Sequence, residues 1–212
     1  MLSNRGKDLI KQYEHMSAHG YATSTDSATS HKYNNFELQY FKEELKPLLK
    51  NINSILDYGC GESNWSLSNF DTESGMSAQQ YFSVPRVFYY EPAKNLDERV
   101  KVDTVISFDV LEHIFLYDVP AVLRDIYSYA NKSVILNIAG YSARALLPNG
   151  ENAHTTVRPL DWWKGMLDSI CIDYPHVTTH FIYSVGHRNV IKNAPWSSSD
   201  WLISEKFVVE YK

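Results

Sequence analysis

Apolar residues fall along this chain in short blocks, and the blocks alternate between strand-like and helix-like spacing. Mainly apolar runs of strand length occur at Ile52–Tyr58, Arg86–Tyr90, Val102–Phe108 and Ser133–Ile138. The first three stop at Gly59, Glu91 and Asp109, as strands buried on both faces stop at polar turns. Two further strands are expected near Val177–Val185 and Lys206–Tyr211, the latter alternating Phe207, Val209 and Tyr211 against Lys206, Val208 and Glu210. Helical spacing intervenes. From Asn35 onward Leu38, Phe41, Leu45 and Leu48 recur as one apolar stripe, which Pro47 should end or kink near Lys46, in a helix packed on the sheet's edge. Asp118 is placed to cap a helix with Pro120 in its first turn and Val119, Val122, Leu123, Ile126 and Ala130 on one face. Asp161 is placed to cap another, which presents Trp163, Met166, Leu167 and Ile170. Strands alternating with helices predict an α/β fold around a mostly parallel sheet covered on both faces. The first 33 residues contain Ser, Thr, His and Tyr without clear periodicity, which fits either a lid that orders on binding or a loose tail.

Composition narrows the class. The 212 residues, 44% of them hydrophobic, suit one domain with a sizeable core. A net charge of −5 supplies no broad basic surface for a phosphate backbone, so nucleic acid is a disfavoured partner. Cys60 and Cys171 are too few for a disulfide scaffold and lack the paired spacing of a zinc site. No stretch approaches the roughly 18 apolar residues of a membrane span, and the polar N-terminal region lacks a signal peptide's apolar stretch. The expectation is a protein of the cytoplasm with no membrane partner.

The candidate chemistry sits at the ends of the first three strands. Leu56-Asp57-Tyr58-Gly59-Cys60-Gly61-Glu62 is a strand entering a tight Gly turn, where the backbone can approach a ligand closely. Glu91 ends the second strand, where an acid can accept hydrogen bonds from both hydroxyls of a ribose. Ser107-Phe108-Asp109-Val110-Leu111-Glu112-His113-Ile114 ends the third. Asp57-Tyr58-Gly59-Cys60-Gly61 together with Phe108-Asp109-Val110-Leu111-Glu112-His113-Ile114 resembles the class I S-adenosylmethionine-dependent methyltransferases, over roughly Ile52 to Ile138.

The resemblance implies a Rossmann-like sheet with an antiparallel C-terminal strand, in a cofactor-binding domain over 51–212 preceded by a helical segment or lid over 1–50. It also implies S-adenosylmethionine as cofactor, with Asp57, Gly59, Cys60 and Gly61 around the methionine moiety, Glu91 on the ribose, and Asp109, Val110 and Leu111 on the cofactor's other side. Asp57 would balance the cofactor's ammonium, and free backbone N–H groups near the Gly turn would meet its carboxylate. Tyr58 is either a ring face for the sulfonium or plain core.

Two departures are visible. The 11 residues from Pro92 to Val102 are too few for helix, strand and helix, so one family strand should be missing, and with it the acid that often meets adenine. Glu62 to Pro85 is longer than one helix requires and carries Trp65, Phe70, Gly75, Tyr81 and Phe82, which predicts an irregular loop or extra helix. The loop Gly140–His154 lies where an open α/β sheet forms its substrate crevice, with Arg144, Glu151, Arg158, Trp162 and Trp163 at hand.

The expected reaction is methyl transfer to an oxygen or nitrogen of a small-molecule acceptor, with His113 and His154 as candidate bases because imidazole titrates near neutral pH. No metal is expected, since the histidines and carboxylates show no compact ligand spacing in the sequence. Two alternatives stand beside this reading: a non-catalytic cofactor-binding or interaction protein of the same fold, and a nicotinamide-dependent enzyme. The latter is weakened because Gly59-Cys60-Gly61-Glu62-Ser63-Asn64 has no third glycine at dinucleotide spacing.

Overall fold

The computed structural model describes residues 2–31, 37–184 and 206–209. In chain order the elements are α1 (Asn4–His19), β1 (Tyr21–Thr23), β2 (Asp26–His31), a 3-10 turn (Glu37–Phe41), α2 (Lys42–Leu48), β3 (Ser54–Tyr58), α3 (Ala78–Phe82) and β4 (Arg86–Glu91). There follow a 3-10 turn (Pro92–Lys94), β5 (Leu96–Asp97), β6 (Val102–Phe108), a 3-10 turn (Leu111–His113), α4 (Val119–Tyr129), β7 (Ala130–Ala139), β8 (Ala145–Leu146), α5 (Leu160–Cys171), β9 (Thr178–Ser184) and β10 (Lys206–Val209).

The main sheet has the order β10-β9-β7-β6-β3-β4-β5. From β4 to β9 neighbouring strands are parallel, while β5 and β10 flank them antiparallel. The architecture is therefore α/β with a mostly parallel, Rossmann-like sheet. Beyond β4, where a parallel strand and its two crossover helices would not fit, the two-residue β5 turns back antiparallel on Tyr90 and Glu91. Parallel pairing aligns Asp57 with Tyr89 and with Ile106, so the ends of β3, β4 and β6 open at one edge of the sheet. The chain leaves β3 for β4 on one side and then returns to β6 on the other, which makes that edge a topological switch point.

Alternation along the strands splits the core into two layers. Leu56, Val105, Val134, Leu136 and Phe181 face α4 and α5, while Ile55, Ile106, Ile135 and Ile182 face α2, α3 and the loop carrying Trp65 and Phe70. The stripe expected from Asn35 is split into a 3-10 turn and α2, and it covers a sheet face through Leu38, Phe41, Leu45 and Leu49, not the sheet's edge. Pro47 lies inside α2, which runs on to Leu48, because one missing N–H in the last turn of so short a helix removes a single bond. Ala130 begins β7 and does not extend the face of α4. Asp161 lies inside the first turn of α5 behind Pro159, and Trp163 is fully buried core. Glu62 to Pro85 forms an irregular loop and α3, with Trp65, Phe70 and Phe82 packed as core. Asn35, Val185, Glu210 and Tyr211 lie outside the described residues.

The N-terminal segment, expected as a helical segment or lid but without clear periodicity, is regular over most of its described length. It contains the 16-residue helix α1 and the β1–β2 hairpin, and β1 also pairs with β8. A signal was present: Leu2, Gly6, Leu9, Tyr13 and Met16 recur every three or four residues, and Ser3 accepts the Gly6 N–H as N-cap. Among the described residues no helix is long and apolar enough to cross a membrane.

Candidate functional site

A cavity of about 590 Å³ opens at the ends of β3, β4 and β6. Its floor is Asp57 to Ser63, Tyr90 to Lys94 and Phe108 to Val110, and one wall is Leu2 with Gly6, Leu9, Ile10, Tyr13 and Ser17 of α1. Of the residues expected at a site, Asp57, Gly59, Cys60, Gly61, Glu91, Asp109, Val110 and His113 line this cavity, and Leu111 and His154 do not. Leu111 is 1% exposed and packs in the layer beneath α4, because the turn Leu111–His113 points it back into the core.

Asp57 is buried and accepts a 2.8 Å hydrogen bond from Trp65 Nε1. Burial pushes its carboxyl up to about 7, against the pull of the Trp65 bond. Burial also raises Glu91, opposed by the N–H groups of Gly61 and Ala93, which donate to its two oxygens at 2.9 and 3.0 Å. Tyr58 packs against Tyr90 at 4.6 Å between ring centroids and donates its hydroxyl to Asp125, which also receives Arg99. Cys60 is a buried thiol raised by desolvation, hence an unreactive one.

The glycines have different duties from those anticipated. Gly59 sits at φ +78°, and a Cβ there would meet Val110 Cγ2 at 2.5 Å, so its bareness admits Val110, not a ligand. Gly61, at φ +52°, would project a Cβ into open space. The free N–H groups expected at this turn are already bonded: Gly59 and Cys60 donate to Tyr90 O, and Gly61 donates to Glu91. A ligand carboxylate finds no donor at those three residues.

At the other end of the cavity, Asp109 stands at φ +57° after β6, its N–H held by Asn137 O. Glu112, fully buried behind it, accepts the Ala139 N–H at 2.6 Å. Burial and the adjacent Asp109 carboxyl raise Glu112 well above the ordinary carboxylate range. The His113 ring meets Tyr13 Oη at 2.6 Å and Ala153 O at 3.0 Å through Nδ1. Its pKa is lowered to about 4 by burial and then by His154, whose ring lies perpendicular at 4.6 Å between centroids. His154 is itself buried, with Nδ1 against Tyr141 O at 2.5 Å. The fold thus brings both histidines together, but only His113 reaches the cavity. It also overturns the spacing argument against a metal, since Asp109, His113 and His154 converge from two segments far apart in sequence.

Asp118, expected to cap α4, makes no such bond. Its carboxylate instead accepts Ser3 N and Ser3 Oγ, both at 2.7 Å, and fastens the start of α1 over the cavity. Arg144 and Glu151 are exposed, with Glu151 paired to Arg5, and Trp162 packs edge-on against Trp163 at 4.9 Å. None of these lines the cavity. Arg99 and Asp125 at the far end, which the sequence did not flag, line it, and so does Tyr13 of α1, which belongs to the segment expected to serve as a lid. Compared with protein-family models, curated proteins and solved structures, the chain matches none.

Proposed function

We propose that this protein is an S-adenosylmethionine-dependent methyltransferase acting on a small-molecule acceptor. The observation that carries the reading is the convergence of Asp57, Gly61, Glu91 and Asp109 on one cavity at the switch point of a mostly parallel sheet. The residues present fit the cofactor. About 590 Å³ suits a ligand of nucleoside size, and Gly61 leaves open space where a side chain would intrude. Glu91 uses two of its roughly four acceptor positions on backbone and keeps the rest for hydroxyls.

Bound S-adenosylmethionine supplies an electrophilic methyl that passes to the acceptor's oxygen or nitrogen while the carbon–sulfur electron pair returns to sulfur. The protein's part is alignment and proton removal. Asp57 ionises on meeting the ammonium, and Glu91 orients the ribose. His113, neutral at physiological pH, takes the acceptor's proton, and His154 and Tyr13 hold its ring in place. The α1 wall excludes water.

Mass spectrometry of a metabolite extract incubated with protein and deuteromethyl-labelled cofactor should reveal a labelled product, absent with His113→Ala at unchanged S-adenosylhomocysteine affinity. Glu91→Gln should weaken S-adenosylhomocysteine by about 1–3 kcal/mol in calorimetry. Absence of binding sinks the reading. A second reading, a non-catalytic interaction protein of the same fold, is favoured by the occupied N–H groups of the Gly turn, which offer a cofactor carboxylate no donor there. Neither cofactor binding nor labelled product would be expected of that one.

A further inference from the structure

We propose that Asp109, His113 and His154 form a binding site for one divalent first-row transition-metal ion. Each offers one ligand atom, and these atoms all lie within 4.8 Å of one another. Around an ion with bonds of 2.0–2.2 Å such atoms stand roughly 3–3.4 Å apart. The remaining closure falls mainly to Asp109, whose exposed side chain lines the cavity and shares a hydrogen bond with Glu112.

The tautomers carry the argument further than proximity does. Tyr141 O can only accept a hydrogen bond, so His154 Nδ1, 2.5 Å away, bears the hydrogen. His113 Nδ1 faces Ala153 O at 3.0 Å and Tyr13 Oη at 2.6 Å, while the Tyr13 hydroxyl donates to the same carbonyl. The consistent assignment gives His113 Nδ1 the hydrogen as well. Each ring then keeps its lone pair on Nε2, and a backbone carbonyl fixes its orientation, which is the outer-shell arrangement that holds metal-ligating histidines. Both carbonyls come from the Gly140–His154 segment, one near each of its ends.

Two imidazoles and one carboxylate favour zinc, iron, cobalt or manganese over calcium and magnesium, which take oxygen sets. Three protein ligands leave positions open for water or a ligand oxygen. Because Asp109 and His113 line the cavity, the ion stands in its wall. If the methyl-transfer reading holds, that position selects an oxygen acceptor: the ion coordinates the acceptor hydroxyl and eases loss of its proton to solvent, taking over the role of His113 as base. Ion binding itself does not depend on that reading.

The test uses the full chain, stripped with chelator and titrated with Co²⁺ by visible absorption and with Zn²⁺ by calorimetry, without S-adenosylmethionine. One ion per chain is expected, with Asp109→Asn and His154→Gln each weakening it at least about tenfold. Asparagine matches aspartate in shape and tolerates the left-handed backbone at position 109, and thermal unfolding of Asp109→Asn checks that the fold is kept. His15 and His19 on α1, whose rings lie 4.6 Å apart, are the competing pair. Loss of binding in His15→Ala/His19→Ala, with Asp109→Asn binding like the parent, would overturn the assignment, as would no saturable binding at all. Failure of methyl transfer with ion binding intact would sink the functional reading alone.

Discussion

The floor and the α1 wall of the cavity are held by different amounts of buried surface. The floor is the end of a sheet sandwiched between two large apolar layers, in which Ile55, Leu56, Val105, Ile106, Val134 and Ile135 are fully buried. The wall rests on a small cluster, Leu9, Met16, Phe115, Leu147 and Ala153, together with the Ser3–Asp118 bonds and the Tyr13–His113 contact. Local opening draws on the elements with the fewest buried contacts. The floor should therefore behave as a fixed template, and α1 as the part that opens first.

The sharpest way to break this contrast is in the floor. Ile106→Ala removes a fully buried side chain from the central strand and should cost about 4 kcal/mol of global stability in denaturant titration. A loss confined to α1, with the sheet's exchange protection intact, would contradict the template.

Asp57 gives the next largest effect, and its sign is opposite. Its folded pKa, about 7, lies above the ordinary 3.8, so the folded state keeps a proton that the unfolded chain releases between those values. Stability from this group is full below pH 4, falls as pH rises towards 7, and is flat above. Asp57→Asn, which keeps the acceptor for Trp65, should therefore stabilise the protein at pH 8 by up to about 4 kcal/mol and remove the slope between pH 4 and 7. A cationic ligand that ionises Asp57 should bind more tightly as pH rises from 5.5 to 8 in the parent and lose that dependence in the variant.

In the wall, Leu9→Ala should cost about 2 kcal/mol, the low end for such truncations, because α1 can settle into the gap. Hydrogen exchange should speed up along Asn4–His19 and stay unchanged in β3, β6 and β7. Equal acceleration in the sheet would mean that α1 and the floor open together. Arg5→Ala is the mildest change. It removes an exposed pair with Glu151 and a guanidinium 4.0 Å over Phe115, and thermal unfolding should register under about 1 kcal/mol.

Legibility follows the same division. Strands β3, β6 and β7 were readable because a strand buried on both faces is mainly apolar, and the half-buried β4 because its Val-Phe-Tyr-Tyr run favours a strand; their acidic or Gly ends marked Asp57, Gly61, Glu91 and Asp109. Helix α1 was not, because its apolar stripe is thin and broken by Gly6, which is bare for packing: a Cβ there would meet Asp118 Oδ2 at 2.3 Å. Asp118 was misassigned to its own helix because capping propensity is local, whereas its partner Ser3 lies 115 residues away. The packing of Val110 against Gly59 was not legible either, because positive φ and close approach look alike in sequence and Val110 follows another strand.

By itself the sequence determined the alternation of strands and helices, the parallel centre of the sheet and the strand ends at which a ligand would sit, since each follows from periodicity within a dozen residues. The tertiary structure decided what stands around those ends. The occupied N–H groups of the Gly turn, the α1 wall, and the meeting of His113 with His154 beside Asp109 all join residues far apart in the chain. Such contacts form only when the packed layers bring their loops to one edge of the sheet, and local spacing holds no record of them.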